Sequence, residues 1–107
     1  MEDCVFCKIV RKEIPKEFRY EDDAIVAFDD IRPQADIHVL FTPRKHIDAF
    51  ESLKDDKILA SVRTGMQKVV RETKLVGRGY KILVFAGGAQ IIDHLHFHLI
   101  GPIGLRV

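Results

Sequence analysis

The run His94-Leu95-His96-Phe97-His98-Leu99-Ile100 holds three of the five histidines of the chain at alternate positions. Side chains of a β-strand alternate between faces, so this period places the three imidazoles on one face, about 6.6 Å apart, and Leu95, Phe97 and Leu99 on the other. A row of imidazoles adds nothing to stability that Thr or Val would not, and its members repel one another when protonated. The pattern therefore points to chemistry. Neutral ring nitrogens could hold a transition metal, or one imidazole could act as a nucleophile while its neighbours position an anionic substrate. The outer two lie about 13 Å apart along a straight strand, too far to converge on one Zn²⁺ at about 2.0 to 2.1 Å, which favours the nucleophile. Gly87-Gly88, just upstream, would let backbone N–H groups approach a phosphate, although such a pair equally marks a tight turn.

Cys4 and Cys7 are the only cysteines and form a C-x-x-C pair. In a reducing compartment this spacing indicates a metal half-site or a redox pair rather than a structural disulfide. The redox reading is the weaker, because no βαβ context surrounds the pair. A tetrahedral structural zinc would need two further N or S ligands.

The elements that position these residues follow from hydrophobic period and turn signals. A length of 107 residues predicts one domain over residues 1–107, and 47% hydrophobic with 31% charged residues is a globular balance. Seventeen Lys and Arg against sixteen Asp and Glu leave a net charge of +1, so no field is available to hold a nucleic acid polymer by charge alone. The longest apolar stretches, 37–41 and 81–89, fall well short of the roughly 18 residues that cross a bilayer, so no membrane span is expected. The N-terminal residues lack a basic region leading into an apolar segment; no secretory signal is read there, and a cytoplasmic location is expected.

Residues 4–11 predict a short helix with Val5, Phe6, Ile9 and Val10 on one face, closed by Glu13-Ile14-Pro15. Residues 24–28 and 37–42 read as paired strands separated by a turn around Pro33. Ile58, Leu59, Val62, Met66, Val69, Val70 and Thr73 recur every three or four residues and define the main helix within 52–76. Ser52 with Asp55 suggests its capping box, and Gly77 with Gly79 its stop. Residues 80–85 and 94–100 read as two further strands. The order helix, strands, helix, strands predicts an α+β fold of two layers, an antiparallel sheet with one main helix and a short N-terminal helix.

The segment His94-Leu-His96-Phe-His98-Leu-Ile resembles the signature of the histidine triad (HIT) family. The likeness extends through Cys4-Val-Phe-Cys7-Lys-Ile-Val-Arg-Lys-Glu-Ile-Pro15, Tyr20-Glu-Asp-Asp23, Ala27-Phe28-Asp29-Asp30-Ile31-Arg-Pro33-Gln34 and His38-Val-Leu-Phe-Thr-Pro43-Arg-Lys-His46-Ile47. Its nucleoside phosphoramidase branch is the most similar. The resemblance implies a homodimer that binds a purine nucleotide such as AMP or GMP and cleaves a P–N bond through a nucleotidyl-histidine intermediate. By that resemblance His96 is the nucleophile, and His94 and His98 flank the phosphate. Asp30 would accept from the ribose hydroxyls, Gln90 would sit beside the phosphate, and Phe6, Ile9, Phe28 and Ile31 would wall the base pocket. Some bacterial members have a zinc held by the C-x-x-C pair, a histidine after the Pro-containing turn and the first triad histidine; here these are Cys4, Cys7, His46 and His94.

Two positions depart from the family pattern. Ile91 stands where the family usually has Ser, and Phe85 where it usually has Asn, so two polar contacts to substrate are lost. The loop between Phe85 and His94 is short, and the tail 101–107 lacks the Trp of some relatives. An intact nucleophile in an altered pocket is expected. The alternatives are a nucleotide-binding or regulatory module with weak or no turnover, and a zinc-stabilised interaction domain.

Overall fold

A computed structural model describes residues 4–106. Helix α1 spans Val5–Val10, and the Cys4 Sγ caps it by accepting from the Cys7 N–H at 3.3 Å. Its buried face is Phe6, Cys7 and Ile9, while Val5 is exposed and Val10 half-buried. The expected face of Val5, Phe6, Ile9 and Val10 is thus rotated: Cys7 lies inward with Phe6 and Ile9, its Sγ beside His46 and His94.

Five strands follow: β1 (Tyr20–Glu21), β2 (Ile25–Asp29), β3 (Ile37–Pro43), β4 (Lys81–Val84) and β5 (Phe97–Gly101). They form one sheet in the order β1-β2-β3-β5-β4, with every neighbouring pair antiparallel. The two-residue edge strand β1 carries no hydrophobic alternation of its own and was not expected from the sequence. Between β3 and β4 lies α2 (Asp56–Glu72). Among the described residues no helix is long and apolar enough to cross a membrane.

Strand alternation divides the sheet between two partners. Ile25, Ala27, Val39, Phe41, Phe97 and Leu99 pack against Ile58, Val62, Met66, Val69 and Val70 of α2. On the opposite face Val26, Phe28 and Leu40 pack against Phe6 and Ile9 of α1. Each fully buried Val, Leu, Ile or Phe contributes about 1.5–3 kcal/mol, so α2, with its long apolar stripe, holds the greater part of the core. The smaller cluster fixes α1 beside the histidines.

Both ends of α2 differ from expectation. Asp55 is its N-cap, accepting from the Lys57 N–H at 2.9 Å, while Ser52 lies in a separate 3-10 turn, Phe50–Ser52. Asp55 is the acid three residues after Ser52, but its carboxylate accepts from the Lys57 N–H and starts the helix itself. The helix stops at Glu72, before the glycines, where Thr73 Oγ1 donates to the Val69 carbonyl at 2.6 Å and Lys74 takes φ 59°.

The histidine strand is shorter than residues 94–100. Ladder pairing begins at Phe97, with Leu40 opposite His98 and His38 opposite Ile100. His94 lies in a bend and Leu95 and His96 belong to no regular element; they are held otherwise, the Leu95 N–H donating to the Ile47 carbonyl at 2.6 Å and the Thr42 hydroxyl to the Leu95 carbonyl at 2.7 Å.

Candidate active site

The alternation of side chains nevertheless holds along the whole run. Leu95, Phe97 and Leu99 enter the core beneath α2. His94, His96 and His98 are all buried on the opposite side, with ring centroids of His96 and His98 5.2 Å apart. The Phe6 ring of α1 meets His96 edge-on at 4.9 Å and His94 at 5.9 Å.

Hydrogen bonds to groups that can only accept fix which ring nitrogens carry protons. The His96 Nδ1–H donates to the His94 carbonyl at 2.7 Å, leaving Nε2 with its lone pair. The His94 Nε2–H donates to the Pro43 carbonyl at 2.8 Å, so its Nδ1 is the unprotonated atom. That Nδ1 lies 3.3 Å from Cys4 Sγ and 3.4 Å from Cys7 Sγ. His46 donates from Nε2 to Asp48 Oδ1 at 2.8 Å, and its Nδ1 lies 3.1 Å from Cys7 Sγ. The ligand atoms of Cys4, Cys7, His46 and His94 lie within 4.8 Å of one another and could hold a metal ion. Two unprotonated imidazole nitrogens facing two thiols are the donor set of a tetrahedral N₂S₂ site. A carboxylate or carbonyl holds the far nitrogen of each ring, as metal-ligating histidines require.

His94 turns toward the cysteines, while the His96 and His98 rings lie beside each other, tilted by 53°. Burial pushes His94 and His98 down to about 4, with neighbouring imidazoles adding to the effect. Burial raises the Cys7 thiol, and the hydrogen bond and charge of Cys4 raise it further.

The residues expected around a nucleotide are placed unequally. Phe6, Ile9 and Phe28 are buried in the smaller core cluster, whereas Ile31 is 78% exposed. Asp30 Oδ1 accepts from the Arg32 N–H at 2.9 Å and Oδ2 lies 3.3 Å from His38 Nε2. Gln90 folds its loop, with Oε1 accepting from the Gly88 N–H at 3.0 Å. Phe85 stands edge-on to His98 at 5.5 Å, and Ile91 is 99% exposed.

Two residues of this neighbourhood escaped the sequence reading. Asp48 orients His46. His38 is buried in β3, and its Nε2 lies 2.8 Å from His98 Nδ1. Its signal was available in the alternation of strand 37–42, where His38, Leu40 and Thr42 share the face opposite Val39 and Phe41.

Fold and site together place a cluster of imidazoles between an antiparallel sheet and a short helix. The family profile described as "Scavenger mRNA decapping enzyme C-term binding" matches residues 3–104. An uncharacterised HIT-like protein of Methanocaldococcus jannaschii is 39% identical over 100 residues, covering 91% of this chain and 77% of the relative. The purine nucleoside phosphoramidase of Escherichia coli K12 is 34% identical over 109 residues, covering 96% of this chain and 92% of that enzyme. The crystal structure of a HIT family hydrolase from Legionella pneumophila Philadelphia 1 superposes with a TM-score of 0.88 at 38% identity, covering 97% and 96% of the two chains. The chain belongs to the histidine triad (HIT) family.

Proposed function

We propose that the protein is a hydrolase of nucleoside 5′-phosphoramidates or related nucleotidyl substrates of a purine nucleotide such as AMP or GMP. The observation that carries this reading is the His96 Nδ1–H bond to the His94 carbonyl, which leaves the Nε2 lone pair free. The phosphoramidase name of the E. coli relative supports the substrate class.

In the proposed reaction His96 Nε2 attacks the α-phosphorus and forms a P–N bond to the imidazole. The P–N bond to the leaving amine breaks, its electron pair staying on nitrogen, and the amine takes a proton from solvent. Water then cleaves the bond to His96, gives back one proton and releases the nucleoside monophosphate. His98 serves the phosphate oxygens, and Asp30 and Gln90 the ribose and phosphate. Phe6, Ile9, Phe28 and Ile31 form the base pocket, with Ile31 its exposed wall.

Cys4, Cys7, His46 and His94 fit a structural zinc, because both histidines present an unprotonated Nδ1 toward the thiols. When bound, the ion would tie α1 to the segments carrying His46 and His94 and supply no reacting group. The proposal includes residues 1–107 acting as one domain, a homodimer paired near α2 and β4, and a cytoplasmic, reducing location in which the thiols persist.

A brief reaction with an adenosine phosphoramidate, quenched and examined by mass spectrometry, should yield a nucleotidyl adduct on His96. A second reading, a nucleotide-binding or regulatory module with little turnover, is favoured by Phe85 against His98 and by the apolar, 99% exposed Ile91. AMP binding with neither adduct nor turnover would decide for it.

A further inference from the structure

The base pocket proposed above is built from apolar side chains, which hold a purine without telling adenine from guanine. Phe6, Ile9 and Phe28 are buried in the smaller core, with Phe18 packed against them, and Ile31 is the wall whose face is open. One charged side chain reaches this rim. Lys16, in the segment between α1 and β1, is half-buried. Its Nζ lies 5.7 Å from the centroid of the Phe28 ring and donates to the Asp29 carbonyl at 3.4 Å. The ammonium therefore stands beside Phe28, where the chain leaves β2 toward Asp30 and Ile31.

An ammonium has three N–H donors and no acceptor. The bond to Asp29 is long for an N–H···O contact, and among the described residues Lys16 takes part in no ion pair. Its donors are thus largely unspent. The carboxylate at the rim is already held: Arg19 Nε donates to Asp29 Oδ1 at 2.7 Å and Arg19 Nη2 to Oδ2 at 3.4 Å. A carboxylate free to accept would favour adenine, whose exocyclic amine donates. With Asp29 occupied by Arg19, the polar group left to meet a base at this rim is a donor.

Guanine presents two adjacent acceptors, O6 and N7, on the edge where adenine presents N7 beside its N6 amine. A donor-only group gains both contacts from guanine. From adenine it gains one, next to an amine that also donates. We propose that Lys16 sets the base preference of the site: it engages the O6/N7 edge and selects 6-oxopurine nucleotides, those of guanosine and inosine, over adenosine nucleotides. The inference rests on the nucleotide reading above and narrows its substrate class. A lysine that acted only by attracting phosphate would strengthen binding of every nucleotide alike, so the signature of base recognition is the preference and not the affinity.

The test is calorimetric titration of the metal-replete protein with AMP, GMP and inosine 5′-monophosphate. GMP and inosine monophosphate should bind roughly fivefold or more tightly than AMP, the lower end of what one such pair of contacts discriminates. Inosine monophosphate is included because it has O6 and N7 but no 2-amino group. Lys16→Met keeps the length of the stem without the donors and should remove the preference by weakening the two 6-oxopurine nucleotides. Lys16→Arg, which also donates to O6 and N7, should keep it. Equal affinity of wild-type protein for AMP and GMP would overturn the proposal, as would a uniform loss for all three nucleotides in Lys16→Met. GMP bound tightly with inosine monophosphate bound as AMP is would place recognition at the 2-amino group and overturn it as well. The wild-type titrations decide even if a variant does not fold. Binding of none of the three by wild-type protein would refute the nucleotide reading and this proposal with it, whereas equal affinities would strike the proposal alone.

Discussion

At the scale of single residues the site is organised by where protons sit. His96 gives its Nδ1–H to a carbonyl two residues back, so the ring nitrogen that keeps its lone pair, Nε2, is fixed by local backbone geometry. His96→Ala should abolish phosphoramidate turnover while nucleotide affinity stays within a few-fold, because the variant removes the reaction path rather than a binding contact. Retention of more than about a tenth of wild-type kcat, a cost under roughly 1.4 kcal/mol, would exclude His96 as the nucleophile. A second expectation concerns acid. Burial lowers His38 and brings His98 to about 4; Asp30 opposes the shift at His38, while Lys81 adds to it there and His96 adds to it at His98. As pH falls, the unfolded chain takes up these protons first, near 6.5. The stability these rings contribute is complete above that value and is lost as pH falls toward 4. Urea midpoints measured between pH 7.5 and 4 should fall, and His98→Asn should flatten the slope; an unchanged slope would contradict the assignment.

Individual elements are held by a few contacts that can be removed one at a time. The short helix α1 has six residues, too few to be stable alone. It is anchored by Phe6 and Ile9 in the smaller core and by the thiols of Cys4 and Cys7 beside His46 and His94. Cys4→Ser should lower both zinc content and thermal stability; well-folded wild-type protein with no metal and no response to chelator would refute the site. After α2 the chain turns through Gly77 and Gly79, both at φ 84°. A Cβ on Gly79 would clash with the Gly104 carbonyl oxygen, whereas one on Gly77 would meet nothing within 4 Å. Gly77→Ala should cost the conformational strain alone, ~1–3 kcal/mol, and Gly79→Ala distinctly more, because backbone must move. Equal urea midpoints for the two variants would show that the tail yields freely.

For the molecule as a whole, the proposed homodimer follows from apolar surface that one chain leaves uncovered. Leu59 of α2, Tyr80 just before β4 and Ile82 within it are exposed, close to the buried Val62, Met66 and Val70, so apolar surface extends beyond what the core beneath requires. A chain of this length buries only about 60–70% of its unfolded surface, and a partner laid over α2 and β4 would cover the remainder of the stripe. Light scattering at micromolar concentration should report twice the chain mass of 12.3 kDa. A species of the single-chain mass alone would refute the dimer.

The alternation of residues 94–100, the amphipathic period of α2 and the α+β order are legible in the amino-acid sequence, because these depend on side chains only a few positions apart. Family likeness added His46 and His94 to the cysteine pair. Which histidines meet depends on contacts between segments far apart in the chain. His94 leaves the row because the Pro43 carbonyl captures its Nε2, and His98 gains His38 because β3 and β5 pair with Leu40 opposite His98. Tertiary structure also drew Phe6, Ile9 and Phe28 into packed core while leaving Ile31 outside. A strand pattern read in one dimension fixes the face a side chain occupies, but the proton on each imidazole is set by acceptors up to 60 residues away in the chain.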